Sequence, residues 1–161
     1  MITLAVLTLS DRGARGERKD LSGHAIKEML GRIGAVVVHY EVLPDEKEMI
    51  KAKLVEFSRD VDVILTTGGT GLSPRDVTPD ATMEIIDREV PGIAEAMRAD
   101  GMKKTSRAML SRAVSGVKGR TLIVNLPGSP KAVEESLGVV LDIIIHAVEK
   151  IKGEPSECGR T

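Results

Sequence analysis

The chain has 161 residues, 23 Lys+Arg against 24 Asp+Glu, 42% apolar residues, one Cys and no Trp. At roughly 150 residues per domain this is the length of a single domain over 1–161, and the apolar share excludes a disordered chain. A net charge of −1 and only two aromatics, Tyr40 and Phe57, argue against nucleic acid and anionic membranes, since neither a positive field nor stacking platforms are present.

Residues 2–9 form a short apolar run rich in β-branched side chains, which predicts a buried first strand. No basic stretch precedes it, and Asp11 and Arg12 cut it short, so it does not read as a signal peptide. A polar loop over 10–20 carries Arg12, Arg15, Arg18 and Lys19. Ile26, Met29, Leu30 and Ile33 then recur at helical spacing, and Gly34 ends that helix. Residues 35–43 read as a second strand, and Pro44-Asp45-Glu46 as the turn into a helix with Ile50, Leu54 and Phe57 on one face. A third strand over 61–66 runs into Gly68-Gly69-Thr70-Gly71. Thr78 is expected to cap, and Pro79 to begin, a helix reaching about Glu89, with another helix around 92–99. Residues 111–118 and 121–126 look like two strands turning about Lys118-Gly119. Ser129-Pro130 opens a long helix whose Val133, Leu137, Val140, Leu141, Ile144, Val148 and Ile151 form one stripe. The polar tail from Gly153 is expected to be loose, and its Cys158 has no internal disulfide partner, which suits a reducing cytoplasm. No stretch approaches the roughly 18 apolar residues of a membrane span.

This alternation predicts an α/β three-layer sandwich, a mostly parallel sheet flanked by helices. In such sheets ligands bind beyond the carboxyl ends of the strands. The polar and glycine-rich turns at 10–12, 44–46, 68–78 and 127–130 are all expected on that edge. Common fingerprints fail. Gly69-Thr70-Gly71-Leu72-Ser73 runs into Pro74 and breaks a dinucleotide-binding pattern, while no Walker A run or Gly-x-Ser-x-Gly elbow exists. His24, His39 and His146 are isolated, so a zinc site has no basis. The Gly68–Gly71 turn is what remains. Its unshielded N–H groups suit a phosphate, and Arg75 and Asp76 beside it suit metal–phosphate chemistry. Taken singly, neighbouring residues also have structural readings. Asp45-x-x-Glu48 has capping-box spacing, Asp76 fits an Asx turn, Ser129 fits an N-cap, and Asn125 could bond its own loop.

Five segments together carry a resemblance: Leu9-Ser10-Asp11-Arg12, Leu43-Pro44-Asp45-Glu46, Thr66-Thr67-Gly68-Gly69-Thr70-Gly71, Arg75-Asp76-Val77-Thr78-Pro79-Asp80-Ala81, and Asn125-Leu126-Pro127-Gly128-Ser129-Pro130-Lys131-Ala132-Val133. In this order they resemble the molybdenum-cofactor biosynthesis family of the MogA/MoaB type, which also occurs as the G domain of gephyrin. The resemblance implies a molybdopterin-binding fold and transfer of AMP from Mg-ATP to the terminal phosphate of molybdopterin, with pyrophosphate leaving. It assigns Asp45 and Asp76 as the catalytic carboxylates that hold Mg²⁺. It further implies that Ser10, Asp11, Gly68, Gly69, Thr70, Gly71, Arg75, Thr78, Ser111, Asn125, Pro127, Gly128 and Ser129 contact the substrates ATP and molybdopterin. A homotrimer or hexamer and a molybdenum-insertion enzyme are the implied partners. The other reading it leaves open is a MoaB-like molybdopterin-binding scaffold without adenylyltransferase activity.

Overall fold

Residue-by-residue alternation in the strands decides the architecture. In β1 (Thr3–Leu9), Leu4 and Val6 enter one apolar cluster while Ala5, Leu7 and Leu9 enter another. Side chains alternate across a strand, so a run that is apolar at every position must be covered on both faces. The computed structural model, which describes residues 1–153, shows that arrangement. Six strands are ordered β2-β1-β3-β6-β5-β4. They are β1, β2 (Val36–Leu43), β3 (Val63–Thr67), β4 (Arg88–Glu89), β5 (Ser115–Lys118) and β6 (Thr121–Leu126). β2, β1, β3 and β6 run parallel, whereas at one edge β5 pairs antiparallel with β6, and β4 antiparallel with β5.

Helices α2 (Leu21–Arg32), α5 (Pro91–Met102) and α6 (Pro130–Lys152) cover the first face. Helices α3 (Lys47–Phe57) and α4 (Thr78–Ile85) cover the second, with Ile50, Leu54 and Phe57 all buried there. The three-layer α/β reading therefore stands. Each fully buried aliphatic side chain contributes roughly 1.5–3 kcal/mol relative to exposure, so a core without Trp is held by many moderate terms. α6 is as expected. Ser129 caps it by accepting a hydrogen bond from Ala132 N, and Gly153 ends it at φ 76°. Of its apolar stripe, Val133, Leu137, Val140, Ile144 and Val148 are buried and Leu141 and Ile151 lie at the margin. The remainder of the tail, with Cys158, lies outside the described residues.

Four local expectations are corrected. The 10–20 loop contains a helical turn, α1 (Asp11–Ala14), because Ser10 Oγ accepts from Gly13 N at 3.0 Å. Thr78 does not cap α4. Its hydroxyl donates instead to Gly68 O at 2.9 Å, which leaves Val77 at the cap without a side-chain bond. α4 stops at Ile85 rather than near Glu89, since Ile86 turns extended and Arg88–Glu89 pairs with β5. β5 begins at Ser115, not at 111, and a 3-10 turn (Ser106–Leu110) precedes it.

Asn125 on β6 is fully buried and joins three elements. Its amide donates to Thr66 Oγ1 on β3 and to Thr82 Oγ1 on α4, both at 3.0 Å, and its Oδ1 accepts from Val114 N at 3.2 Å. Asn125→Ala strands these buried partners, so urea unfolding should show a loss of about 2–4 kcal/mol, read as a lower midpoint at unchanged slope.

Candidate active site

Parallel register brings the strand ends together. Leu9 pairs with Leu43, Thr8 with Thr67, and Thr67 with Leu126, so β1, β2, β3 and β6 finish on one edge. The loops that leave them are bonded to one another. Ser10 N donates to Leu43 O at 2.9 Å, Gly68 N to Leu126 O at 3.3 Å, and Thr67 Oγ1 to Pro127 O at 2.6 Å.

Asp11 and Asp45 are paired reciprocally. Asp11 N donates to Asp45 Oδ2 at 3.1 Å, and Asp45 N donates to Asp11 Oδ1 at 3.0 Å. This disposes of the capping-box reading: Glu46, not Asp45, is the N-cap of α3, it makes no side-chain cap bond, and the Asp45 carboxylate bonds Asp11 N instead. Arg75 completes the set from the third loop. Its Nε donates to Asp11 Oδ2 at 3.0 Å, and its Nη2 to Asp11 Oδ1 at 2.8 Å and Glu46 Oε1 at 3.0 Å. The Arg75 guanidinium, with the Asp45 N–H, holds the Asp11 carboxyl below its ordinary value. Asp45 moves the other way. Burial pushes its carboxyl above the usual 3.8, and the Asp11 and Asp76 charges add to that rise. Its Oδ1 is buried and has no hydrogen-bond partner.

The glycine turn lies against this oxygen. Gly68 (φ 95°) and Gly69 (φ 66°) occupy the left-handed region, where a side chain is strained. A Cβ on Gly68 would sit 2.4 Å from Leu9 O, and one on Gly69 would sit 2.4 Å from Thr78 Oγ1 and 3.0 Å from Asp45 Oδ1. At Gly71 a Cβ would meet Asp76 Oδ2 at 2.8 Å. The two carboxylates therefore stand over the two ends of the turn. Asp76 Oδ2 accepts from Ser73 N at 3.0 Å, so the turn reading of Asp76 holds as well, in the direction of the preceding residues.

Two cavities flank the turn. One, of about 360 Å³, is of mixed polarity; Ser10, Gly68, Gly128 and Ser129 line it, together with the exposed Arg18 and Lys19. The other, of about 300 Å³, is mostly apolar and is lined by Thr70, Gly71, Ser111 and Pro127 together with Met97 and Leu110. Asp11, Asp45, Gly69, Arg75 and Asp76 line neither cavity. Nor do Thr78 and Asn125 line either one. Both are fully buried with their polar groups turned to the protein, and they support the loops from beneath.

Sequence reading missed three contributors. Ser22 Oγ donates to Gly128 O at 2.6 Å, tying α2 to the last loop. Asp20, the α2 cap, accepts from Thr8 Oγ1 at 2.7 Å, from Gly23 N at 2.9 Å and from the Tyr40 hydroxyl. Arg112 reaches the glycine loop through Gly71 O and Asp76 O. The Asp20-x-x-Gly23 spacing offered a cap signal. The partners of Arg112 lie 41 and 36 residues away, and no local pattern encodes them.

The site is thus a glycine turn at the carboxyl edge of a parallel sheet, in an α/β protein, with two carboxylates over the turn and a cavity to either side. Residues 5–147 match the family described as "Probable molybdopterin binding domain", and the chain belongs to that family. It is 39% identical to the molybdopterin adenylyltransferase of Helicobacter pylori (strain J99) over 156 residues, covering 94% of this chain and 89% of that protein. To the molybdopterin adenylyltransferase of Escherichia coli K12 it is 36% identical, covering 91% and 80%. Among solved structures, the molybdopterin biosynthesis enzyme MoaB from Thermus thermophilus superimposes with a TM-score of 0.90 at 53% identity, covering 96% of this chain and 99% of that one.

Gly69→Ala should destabilise the fold by about 1–2 kcal/mol from the left-handed backbone alone, and further through the clash with Thr78 Oγ1. In the Thr78→Ala background the same change should cost less, because the clashing oxygen is gone. Urea unfolding of the two single variants and the double variant reads this as a sub-additive cycle.

Proposed function

We propose that this protein works in molybdenum cofactor biosynthesis as a molybdopterin adenylyltransferase. The observation that carries the reading is the pair of carboxylates over the glycine turn, with Asp45 presenting a buried, partnerless oxygen to it. The identity to adenylyltransferases over most of both chains supports it. In the reaction, an oxygen of the molybdopterin terminal phosphate bonds to the α-phosphorus of ATP as the bond to the β-phosphate oxygen breaks. Adenylyl-molybdopterin forms and pyrophosphate leaves.

Both substrates are anions, so the chain must bring like charges together. Gly68 N is taken by Leu126 O, but the main-chain N–H groups of Gly69 and Gly71 carry no side chain of their own, and a cavity on each side gives each substrate its own seat with phosphates meeting at the turn. Arg75 holds Asp11, and Asp11 fixes Asp45 through the reciprocal pair.

The residues present fit Mg²⁺. Asp45 Oδ1 lacks a donor, and burial together with neighbouring carboxylates disfavours its charge, a situation a cation reverses. Among the described residues no group of three or more His, Cys, Asp or Glu side chains could hold a metal by itself. Two carboxylates completed by phosphate oxygens and water is the way Mg²⁺ is commonly held. Asp45 and Asp76 would hold it, and when bound it supplies neutralisation of phosphate charge.

We place the reaction in the cytoplasm, with the product passing to a molybdenum-insertion enzyme. Among the described residues no helix is long and apolar enough to cross a membrane. The assembly we propose is a homotrimer or a pair of trimers. Val36 and Val38 on the edge strand, and Val139 and Ile143 on α6, leave apolar surface exposed for subunit contact. Sedimentation at micromolar concentration should give a species of three or six chains, and a 17.3 kDa monomer would overturn it.

With Mg²⁺, ATP and molybdopterin, the wild type should release pyrophosphate. Asp45→Asn and Asp76→Asn should each slow release about 100-fold or more, the loss of several kcal/mol of charge stabilisation. Molybdopterin binding without pyrophosphate release would mean a scaffold. Asp45→Asn has a second signature. Because the folded state raises the Asp45 pKa, ionisation lowers stability as pH climbs from 3.8 through that raised value. The Asn variant should therefore melt at or above the wild type near pH 7, and any advantage should vanish below about pH 4.

A further inference from the structure

Arg112 lies in the extended stretch between the 3-10 turn and β5, and it directs its donors at one segment. Its main-chain N–H donates to Thr70 O at 2.9 Å, its Nε to Gly71 O at 2.9 Å, and its Nη2 to Asp76 O at 2.6 Å. Nη1 and Nη2 also meet the Asp80 carboxylate, on the first turn of α4, at 3.2–3.3 Å. Arg98 holds this stretch in turn, its Nη1 donating to Ser111 O at 3.3 Å and Ala113 O at 2.8 Å, on either side of Arg112.

The bonds within the loop are of another kind. Asp76 N donates to Ser73 O and Ser73 N to Asp76 Oδ2, which closes residues 73–76 on themselves. That sets the shape of the turn, not its place. The place comes from outside, from Arg75 reaching to Asp11 and Glu46 and from Arg112 gripping the main chain at Gly71 and Asp76. Since Asp76 Oδ2 lies against Gly71, the two carbonyls Arg112 holds are those of the residues whose spacing sets the carboxylate over the glycine turn.

We infer that Arg112 is a positioning residue for the reaction: it keeps the Asp76 carboxylate in register with the glycine turn by holding Gly71 and Asp76 together. This rests on the function proposed above. A planar guanidinium serves two carbonyls and a carboxylate at once, whereas a lysine ammonium is a single point on a flexible stem and does not span them. The ion pair with Asp80 is exposed and counts for little, so the carbonyl bonds carry the role.

Arg112→Lys should lower pyrophosphate release about 10–100-fold, as expected for a small displacement of a reacting constellation, and raise the Mg²⁺ concentration needed for half-maximal rate. Asp80→Asn, which spares the carbonyl bonds, should change the rate less than about twofold. The deciding test is the cycle with Asp76→Asn. In that background Arg112→Lys should add nothing to the loss, since its effect runs through Asp76. Additive losses, a normal rate in Arg112→Lys, or an equal loss in Asp80→Asn overturns the inference. Amide hydrogen exchange over residues 70–76 separates this from the proposed function. Should the wild type release no pyrophosphate, the adenylyltransferase reading fails. Exchange over that segment then decides for Arg112, faster in Arg112→Lys but not in Asp80→Asn if it holds the loop and unchanged if it does not.

Discussion

The reciprocal pairing of Asp11 with Asp45 organises the site. Each main-chain N–H is satisfied by the other residue's carboxylate, so the loops leaving β1 and β2 are locked together at the second residue beyond each strand. The pairing has a cost. It uses Asp45 Oδ2 and leaves Oδ1 buried without a donor, a situation worth roughly 1–3 kcal/mol in an ordinary interior. The oxygen lies over Gly69, where a Cβ would stand only 3.0 Å from it, so the turn and the carboxylate fit one another only with glycine there.

The sheet supplies the rigidity that such an arrangement requires. β1 and β3 are central and covered on both faces, so the edge from which the loops spring is fixed by two aliphatic layers. Polar bolts then carry that rigidity outward. Thr67 to Pro127, Ser22 to Gly128 and Thr78 to Gly68 each tie a site loop to a neighbouring element through one side-chain oxygen. Thr78 shows how local preference yields to this demand. It has a good capping side chain at a helix start, yet its hydroxyl is spent on the glycine turn and α4 goes uncapped.

Much of this was legible in the sequence, and the division is physical. Strands apolar at every position announced a two-faced sheet, and the stripe on α6 with Ser129 before it announced a long capped helix. Asp45, Asp76 and the glycines stand out as candidates because their motifs are contiguous. What escaped depends on contacts between distant segments. The end of α4 is set by pairing of Arg88–Glu89 with β5, which no window of the α4 sequence contains. The motif that holds Asn125 implies a ligand contact, whereas its amide is bonded in the interior between β3 and α4. Arg112 belongs to no motif and is defined by loops some 40 positions earlier in the chain.

Charge gives the last step. Asp11, Asp45, Glu46 and Asp76 gather around the turn, and Arg75 is the cation set among them, while the charge of Arg112 is answered by Asp80. A bare phosphate approaching this cluster would meet net repulsion, although the glycine N–H groups beneath it are well suited to phosphate. The two features are at odds only if the phosphate arrives alone. A phosphate carrying a divalent cation would satisfy both, because Asp45 and Asp76 would hold the cation and it would offset the phosphate charge. The same logic explains why Arg75 is tied to Asp11 and Glu46 rather than left free. A loose guanidinium would compete for Asp45 and neutralise the oxygen that the fold holds, at some expense in stability, without a partner.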